Sequence, residues 1–448
     1  MSGSNDAGQA KESRFDPSRV PASPNAKNLI AEVRSQLLRY EEVFHPRAKK
    51  RRARDQERFD RIVTALVCEL AHAALADASA WRYISMSKRM SPEEATGAAF
   101  MTAERIRIIE WMVSPEMDWL ELRKGQRQPF QSTQTAIRAS KRLQAYMDQH
   151  DIQFADLGRD LDLLGDPVVL RGPKVKGKAK TLAVPPGEPA ETFRAEMHRI
   201  NSWLATAEIT CEYDGEGNPR DEGDRHLRRI FNGGRLDLGG RLYGGFWLQM
   251  SAADRLGDIT INGERVAALD FGQCGVRIAY GLAGAIPPSG DLYLIPGLER
   301  FREGVKKLLN SMLAWHEKMP RFPAGTRQLF PSHLTVHKVQ EQIREHHHPI
   351  VDQFYSAQVL THQFVDSQVI VRSLLRLAEQ GLVALPVHDA LLVPHSTAAQ
   401  VAGIMLDCFR EITGVEGVVS AATIDGELPI PTRPQEAGRS LHMEGGSC

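Results

Sequence analysis

The segment Leu-Val-Ala-Leu-Pro-Val-His-Asp-Ala-Leu-Leu-Val at 382–393 constrains the fold more than any other stretch of the sequence. Two apolar runs flank the polar pair His388-Asp389, which predicts a hairpin of two buried strands with an acid at its tip. Upstream, another apolar run ends at Asp270 and is followed by a glycine-containing turn and a helical pattern. The sequence therefore predicts two carboxylates held on rigid backbone at strand ends.

Two such carboxylates are suited to phosphoryl transfer if they lie close together. Phosphoryl transfer uses two hard cations roughly 3.5–4 Å apart, so carboxylates from different strands must converge on them. Asp270 and Asp389 could do this. Either residue taken alone is more simply explained as a turn or helix-capping aspartate, so only the surrounding motifs can favour the metal-binding interpretation.

Composition limits the other functions that are open to the chain. Lys plus Arg and Asp plus Glu both total 56 in 448 residues, so any attraction to nucleic acid must come from local patches. The five cysteines are scattered without a C-x-x-C pair, which indicates neither a zinc site nor a disulfide framework. No apolar run reaches the ~18 residues of a membrane span. We therefore expect a cytoplasmic protein without a membrane partner. A bacterial, phage or mobile-element setting is also expected, on grounds other than composition.

Helical and strand patterns divide the chain into two parts. A helical spacing of apolar residues begins at Phe59, and weaker helical patterns follow at 106–113 and 137–147. Later segments alternate short β-like runs with helical patterns, which is typical of an α+β fold. The expected divisions are a disordered tail at 1–26, a helical N-terminal domain at 27–170, a linker at 171–189, a main domain at 190–429 and a disordered tail at 430–448.

Expected helices of the second part begin with a pattern formed by Phe193, Met197, Ile200 and Leu204. Three more are predicted at 298–315, 366–379 and 397–412. The consecutive residues His346, His347 and His348 cannot converge on one metal ion, and we interpret them as a solvated helix end.

Several segments resemble, in the right order, the palm motifs shared by family A DNA polymerases and single-subunit, phage-type RNA polymerases. Asp270-Phe-Gly-Gln-Cys-Gly275 is similar to motif A, and Val387-His388-Asp389 is similar to motif C. Asp237-Leu-Gly-Gly-Arg241, followed by Leu242-Tyr243, resembles the D-x-x-G-R element of the RNA enzymes. Only the ordered combination is specific, because each short motif occurs often by chance.

Two further segments extend the resemblance. Arg302-Glu-Gly-Val-Lys306 resembles the start of motif B, and Gly290-Asp291-Leu292-Tyr293 resembles the D-x-Y element of the RNA enzymes. The resemblance implies that Arg302 and Lys306 face the incoming triphosphate, although Lys307 competes with Lys306 for this role. A solvated helix face is the ordinary interpretation of such a pair.

The resemblance also assigns roles to the palm residues. Asp270 and Asp389 would be the catalytic, metal-binding residues for two Mg²⁺ ions, with Mn²⁺ as an alternative. The backbone carbonyl of Phe271 would touch one ion, and His388 would lie in the substrate site. Contacts to template and hybrid would come from Asp237, Gly240, Arg241 and Tyr243.

Gly275 bears on the choice of sugar. Family A DNA polymerases usually carry a glutamate at this place, which crowds the sugar 2′ position, whereas the RNA enzymes carry glycine. The absence of a side chain at Gly275 leaves room for a 2′-hydroxyl and predicts that ribonucleotides are accepted, although a tight turn would also explain the glycine. Both families place an aromatic residue where this chain has Ala314, and Trp315 lies one position late.

The resemblance implies a right-hand polymerase palm, an antiparallel sheet flanked by helices, with reduced fingers, and the helical patterns predict an α-helical N-terminal domain. The expected function is template-directed nucleotidyl transfer by a DNA-directed RNA polymerase or a primase-like enzyme. Its partners would be a DNA template, nascent RNA or a primer, and nucleoside triphosphates. A DNA polymerase with weak sugar discrimination and a catalytically inactive, nucleic-acid-binding relative are the alternatives.

Two basic runs lie outside these motifs. Residues 46–54 and 174–180 are rich in lysine and arginine and could neutralise the phosphates of a template. Such runs are also common in solvated surface or linker segments.

Overall fold

The computed structural model describes residues 12–84, 86, 103–126, 133–160, 164–175, 177, 179–211 and 221–430. Within these ranges no helix has the length and apolar character needed to cross a membrane. The terminal segments 1–11 and 431–448, parts of the two expected tails, lie outside them.

The first part of the chain mixes helices with short strands. Its elements are β1 (Glu12–Arg14), β2 (Arg19–Pro21), α1 (Pro24–Phe44), α2 (Ala53–Ala76), β3 (Trp81–Tyr83), α3 (Ala103–Val113), β4 (Leu120–Arg123), β5 (Ala136–Ala139), α4 (Lys141–Gln149) and β6 (Leu157–Arg159). The strands form a sheet in the order β1-β3-β5-β4 and a separate β2-β6 pair. The expectation of a helical first part therefore missed its strands, which are only three or four residues long.

Local sequence explains where these helices begin. Ser23 caps α1 by accepting a hydrogen bond from the Ala26 amide at 3.2 Å, and Pro24 occupies the first helical position. The apolar spacing from Phe59 is confirmed by α2, which buries that face. The expected helix at 137–147 is wrong in its first turn, because β5 ends at Ala139 and Ser140 then caps α4.

The tail expected at 1–26 is also part of the fold from residue 12 onward. Strand β2 pairs with β6, with Val20 opposite Gly158, and α1 begins at Pro24. Arg19 is buried and lies 2.6 Å from the Asp221 carboxylate. Long-range pairing and this ion pair order a segment whose composition alone predicted disorder.

The second part of the chain carries a larger set of elements. They are β7 (Val168–Arg171), β8 (Thr181–Leu182), α5 (Ala190–Thr206), β9 (Ile209–Cys211), β10 (Leu227–Phe231), β11 (Gly239–Gly244), α6 (Ala252–Asp258), β12 (Ile259–Ile261), β13 (Glu264–Phe271), α7 (Cys274–Leu282), α8 (Arg302–Ala314), α9 (Val336–His346), α10 (Val359–Glu379), β14 (Leu385–Val387), β15 (Ala390–Pro394), α11 (Ala398–Thr413), β16 (Val419–Thr423) and β17 (Gly426–Leu428). The expected α+β character and the helices near 193–204, 298–315, 366–379 and 397–412 are confirmed.

Strand β13 is the centre of the main sheet. It pairs antiparallel with β15 on one side and with β16 on the other, and the hairpin β14-β15 extends the sheet beyond β15. Strands β12 and β9 continue the sheet from the first residues of β13. Helices α7, α10 and α11 pack together, and α11 also contacts β13 and β15. The result is an antiparallel sheet with helices packed against it.

The stretch expected to be a linker, 171–189, contributes to a second sheet of order β11-β10-β7-β8. Leu170 on β7 pairs with Leu182 on β8, and β7 runs parallel to β10. The glycines and prolines of this stretch therefore lie in and around a β pair. A linker is the wrong description for its described residues.

Separate hydrophobic cores stabilise the two parts. One core gathers apolar residues between Phe15 and Leu157, and a larger one gathers residues between Met197 and Ala421. Ion pairs connect the parts, since Arg159 on β6 contacts the carboxylate of Asp224. Burial of such cores is the main favourable term in folding.

The three consecutive histidines do not all lie in solvent as expected. His347 is fully buried, with Nδ1 2.9 Å from the Tyr280 hydroxyl and Nε2 3.0 Å from the Leu292 carbonyl oxygen. Burial lowers the pKa of His347 to about 4, so the ring is neutral at pH 7. This histidine connects α7 to the loop before α8.

Arg229 on β10 is a buried cation that ties three elements together. Its Nε donates to the Gly240 carbonyl at 3.1 Å, Nη1 to Glu196 at 2.8 Å and Nη2 to Gln368 at 2.7 Å. Burial lowers the pKa of Arg229 to about 10, so the side chain remains charged at pH 7. The arginine thereby fixes β11 against α5 and α10.

We expect Arg229→Leu to destabilise the protein by about 3 kcal/mol, because it leaves hydrogen-bond acceptors without their charged donor. Urea unfolding followed by circular dichroism measures this change. Arg228→Ala, at the exposed neighbour on the same strand, is the matched control and should change stability by about 0.5 kcal/mol or less. Equal effects of the two substitutions would contradict the assignment.

Candidate active site

Asp270 lies near the end of the central strand. Phe271 after it is buried and its ring centroid lies 5.1 Å from that of Phe409, which anchors the strand end in the core. Gln273 adopts a left-handed conformation with φ of 60°, and α7 begins at Cys274. The strand, the sharp turn and the helix together leave the Asp270 side chain exposed to solvent at the end of the central strand.

Asp389 lies on the two-residue turn between β14 and β15, as the sequence predicted. Val387 pairs with Ala390 across the turn, and His388 has a left-handed φ of 57°. The indole Nε1 of the fully buried Trp247 donates to the Pro386 carbonyl at 2.9 Å. This hydrogen bond holds β14 in place and so fixes the turn that carries the acid.

The register of the sheet brings the two acids together. Asp270 is directly opposite Ala390, the residue that follows Asp389. Directly opposite residues on antiparallel strands have Cα atoms about 4.5–5.5 Å apart. Two carboxylates from distant parts of the sequence therefore reach the same corner of the sheet.

The proximity of these acids changes the electrostatics of Asp270. Partial desolvation by the surrounding protein and the negative charge of Asp389 raise the pKa of Asp270 to about 6, whereas Lys306 and a backbone hydrogen bond from Phe271 act in the opposite direction. Two like charges at this corner repel each other. A cation would relieve that repulsion.

A third carboxylate, absent from the sequence prediction, lies beside the pair. Asp366 on α10 is buried, and one of its oxygens, Oδ2, accepts hydrogen bonds from both Nε and Nη2 of Arg241. Burial raises the pKa of Asp366 to about 7 despite this arginine, with Asp389 and Asp270 adding to the effect. The signal available in the sequence was a lone acid in an apolar helical pattern.

A cavity of about 220 Å³ opens next to the acids. Its wall includes Arg241, Cys274, Gly275, Ile278, Asn310, Leu313, Ala314, Val359, His362, Gln363, Asp366 and Asp389. A Cβ atom built at Gly275 would meet nothing within 4 Å, so this glycine leaves open space. The absence of a side chain at Gly275 thus helps to form the cavity.

Two buried polar atoms in the cavity wall have no hydrogen-bond partner. They are Oδ1 of Asp366, on a residue that is 4% exposed, and Nε2 of His362, on a residue that is 8% exposed. Burial lowers the pKa of His362 to about 4, so its ring is neutral at pH 7. Buried polar atoms are normally satisfied, so this pair indicates a site for a polar group of a ligand or for water.

Helix α8 presents Lys306 to the acids. Lys306 is exposed, and its charge lowers the pKa of Asp270. Lys307 instead reaches toward the Gly325 carbonyl at 3.5 Å. Of the two lysines, Lys306 is therefore the one that faces the site.

Arg302 is already engaged by acidic neighbours. Its Nε lies 2.5 Å from Asp291 and its Nη1 lies 2.6 Å from Glu303. Asp291 also accepts hydrogen bonds from Gln273 at 3.2 Å and from the Tyr293 amide at 3.0 Å. The D-x-Y segment thus connects the turn after Asp270 to the start of α8.

Residues of the D-x-x-G-R segment have different surroundings. Asp237 is exposed and pairs with Arg235 at 2.5 Å, whereas Arg241 holds Asp366. Gly240 has a φ of 75°, and a Cβ atom there would lie 2.8 Å from the Ser367 hydroxyl oxygen, so the position requires glycine.

Aromatic side chains lie at two edges of the site. The Tyr243 and His388 rings meet edge to face with centroids 6.2 Å apart, beside the turn of Asp389. Trp315, at the end of α8, is 51% exposed, and the neighbouring Ala314 lines the cavity.

The donors at this corner suit a hard cation. The described part of the chain contains no group of three or more His, Cys, Asp or Glu side chains arranged to hold a metal ion. Mg²⁺ is commonly bound by only one or two carboxylates, with water and substrate phosphates completing its shell. Asp270 and Asp389 fit this mode, and their mutual repulsion favours a cation between them.

Comparisons with known proteins do not show a family for this chain. No protein-family model matches the chain, and no curated protein matches it. Among solved structures, the chain is similar to the POL domain of Pol1 from M. smegmatis in complex with DNA primer-template and dNTP, with 12% identity and a TM-score of 0.31 over 90% of this chain and 70% of that chain. This similarity is too low to support a function.

We expect the stability of the metal-free protein to depend on Asp270 and on pH. Because the folded pKa of about 6 lies above the ordinary 3.8, ionised Asp270 destabilises the fold increasingly as pH rises through this window. Asp270→Asn should therefore raise the melting temperature at pH 7.5 by about 2 °C, with no difference near pH 4. Differential scanning fluorimetry in EDTA measures the effect.

Addition of Mg²⁺ provides the control for this experiment. The ion should raise the melting temperature of the wild type at pH 7.5 and leave Asp270→Asn nearly unchanged. A difference between the two proteins that stays constant from pH 4 to 7.5 would contradict the raised pKa of Asp270.

Proposed function

We propose that the chain is a metal-dependent nucleotidyl transferase with a polymerase-type palm. The observation that carries the proposal is the register of β13 and β15, which places Asp270 beside the turn of Asp389. Carboxylates presented side by side from a strand end and from a hairpin turn are what a two-metal phosphoryl transfer requires. Their arrangement on an antiparallel sheet with packed helices agrees with the sequence motifs.

Asp270 and Asp389 would hold two Mg²⁺ ions, with the carbonyl of Phe271 as a further oxygen donor. When bound, the ions would activate the attacking 3′-hydroxyl and stabilise the leaving pyrophosphate. Lys306, exposed on α8 beside Asp270, would neutralise charge on the triphosphate. Arg302 could join it only after exchanging its contacts with Asp291 and Glu303.

The cavity beside the acids would receive the sugar of the incoming nucleotide. Gly275 leaves the space, and Asp366 Oδ1 and His362 Nε2 supply polar atoms without partners. A carboxylate oxygen accepts the hydrogen bond of a hydroxyl group. We therefore propose ribonucleotides as the preferred substrates, in keeping with an RNA polymerase or primase-like enzyme.

The remaining motif residues would position nucleic acid. Arg241 and Tyr243 lie on β11 beside the cavity and the turn of His388, where template, hybrid or primer would pass. Asp237 and Gly240 would act indirectly, by shaping the segment that carries Arg241. A DNA template and either nascent RNA or a primer are the nucleic acids that we propose as partners.

We expect Asp389→Asn to reduce nucleotide addition at least a hundredfold, because the variant removes one of two charges that would hold the ions. The measurement is Mg²⁺-dependent extension of a labelled primer on a DNA template. Asp148→Asn, at an exposed acid on α4, is the matched control and should keep wild-type activity. Equal activity of the two variants, or none in the wild type under any primer condition, would reject the proposal in favour of a non-catalytic binding protein.

We also expect Gly275→Glu to reverse the choice of sugar. The added side chain fills space beside the Asp366 carboxylate, so ribonucleotide addition should fall more than tenfold while deoxynucleotide addition falls less. Competition between the two nucleotides on one primed template gives the ratio. A wild type that prefers deoxynucleotides would instead favour a DNA polymerase with the same palm.

A further inference from the structure

A basic turn connects the first two helices, far in sequence from the palm acids. Helix α1 ends at Phe44 and α2 begins at Ala53, and we refer to residues 45–52 as the basic turn. It contains Arg47, Lys49 and Lys50, all exposed. The sequence alone could not distinguish a solvated run from a binding site.

The structure shows a depression built around this turn. A cavity of about 620 Å³ is lined by four cations, Arg47, Lys49, Lys50 and Arg51, and by two carboxylates. These carboxylates belong to Glu41 and Glu42, and Glu41 lies within ion-pair distance of Arg47 and Arg51. The lining therefore keeps an excess of positive charge after its internal pairs are counted.

Arg51 is the buried part of this site. Its side chain is only 6% exposed, and its guanidinium carbon lies 4.0 Å from the centroid of the Phe59 ring. Nη2 lies 2.8 Å from the Glu41 carboxylate, but Nε has no hydrogen-bond partner. Burial lowers the pKa of Arg51, and an anion in the cavity would offset this cost.

The start of α2 adds to the positive potential. Its N-cap residue, Arg52, provides no side-chain hydrogen bond to the first turn. Ala53 and Gln56, both in that turn, line the cavity. Amide groups at a helix N-terminus and the helix dipole favour an anion such as phosphate.

Two aromatic residues, Phe44 and His45, lie where α1 meets the basic turn. Phe44 is 52% exposed, and its ring centroid lies 4.7 Å from that of Tyr40. His45 stacks on Trp111 with centroids 5.3 Å apart. Exposed Phe44, supported by Tyr40, therefore offers an aromatic surface that precedes the cations of the basic turn directly in the chain.

We propose that the basic turn binds single-stranded nucleic acid, with phosphates in the Arg51 cavity and a base stacked on Phe44. Cations that follow the backbone and aromatic rings that stack on bases are the combination used for unpaired strands. The bases of a duplex are already stacked on each other and are not free to stack on Phe44. Acidic side chains of a peptide carry no planar base that could stack on this ring. The site lies on the first part of the chain, so it does not depend on nucleotidyl transfer.

The first test measures charge. Full-length protein is titrated into a fluorescent 20-nucleotide oligothymidylate without nucleotide or divalent cation, and anisotropy is recorded between 50 and 200 mM salt. Loss of two phosphate contacts in Lys49→Ser/Lys50→Ser should lower the slope of log K against log salt by about 1.4 and weaken binding more than tenfold at 0.1 M salt. Lys27→Ser/Lys141→Ser removes the same charge elsewhere on this part and should change the slope much less.

The second test measures stacking. Phe44→Ser should weaken binding of the single strand about tenfold and leave binding of a duplex of equal length unchanged. Photocrosslinking with 4-thiothymidine should label the peptide that contains Phe44.

Three results would overturn the inference. They are equal salt slopes for the two double-lysine variants, equal binding of the single strand by Phe44→Ser and wild type, and binding of polyglutamate as tight as that of the oligonucleotide. A chain inactive in primer extension could still pass both tests, so the two proposals fail separately.

Discussion

The candidate active site depends on one constraint, the register between β13 and β15. This register brings two like charges to the same corner of the sheet, although partial desolvation and repulsion raise the pKa of Asp270 to about 6. Backbone pairing on both sides of β13 and the hydrogen bond from Trp247 to Pro386 hold the corner in place. The fold thus accepts an unfavourable arrangement of charge, which is common at functional sites.

Strongly periodic segments could be predicted from the sequence. Apolar alternation and its interruption at His388-Asp389 gave the hairpin, and the helical spacing from Phe59 gave α2, because each pattern reflects contacts within one element. The two acids could be assigned to strand ends for the same reason. Strands of two to four residues, such as β8 and β5, could not be predicted, because so few residues do not show the alternation of a strand. The sequence instead predicts a linker and a helix for their residues.

Long-range polar contacts could not be predicted. Asp366 lies in an apolar helical pattern. Only the structure shows that its Oδ2 accepts a hydrogen bond from Arg241 on β11 and that its Oδ1 has no partner in the cavity wall. Arg229 similarly joins segments 139 positions apart in its bond to Gln368. Motif matching named Arg302 as a phosphate ligand, yet its contacts with Asp291 and Glu303 depend on how the loop before α8 folds back.

Asp270 and Asp389 lie on backbone segments of different stiffness. Asp270 belongs to a strand with neighbours on both sides, whereas Asp389 lies on a two-residue turn whose partner strand, β14, has only three residues. We therefore expect thermal displacement at this corner to fall mainly on the turn. The distance between the two carboxylates should therefore change mainly through movement of the hairpin turn that carries Asp389, while the strand that carries Asp270 stays in place.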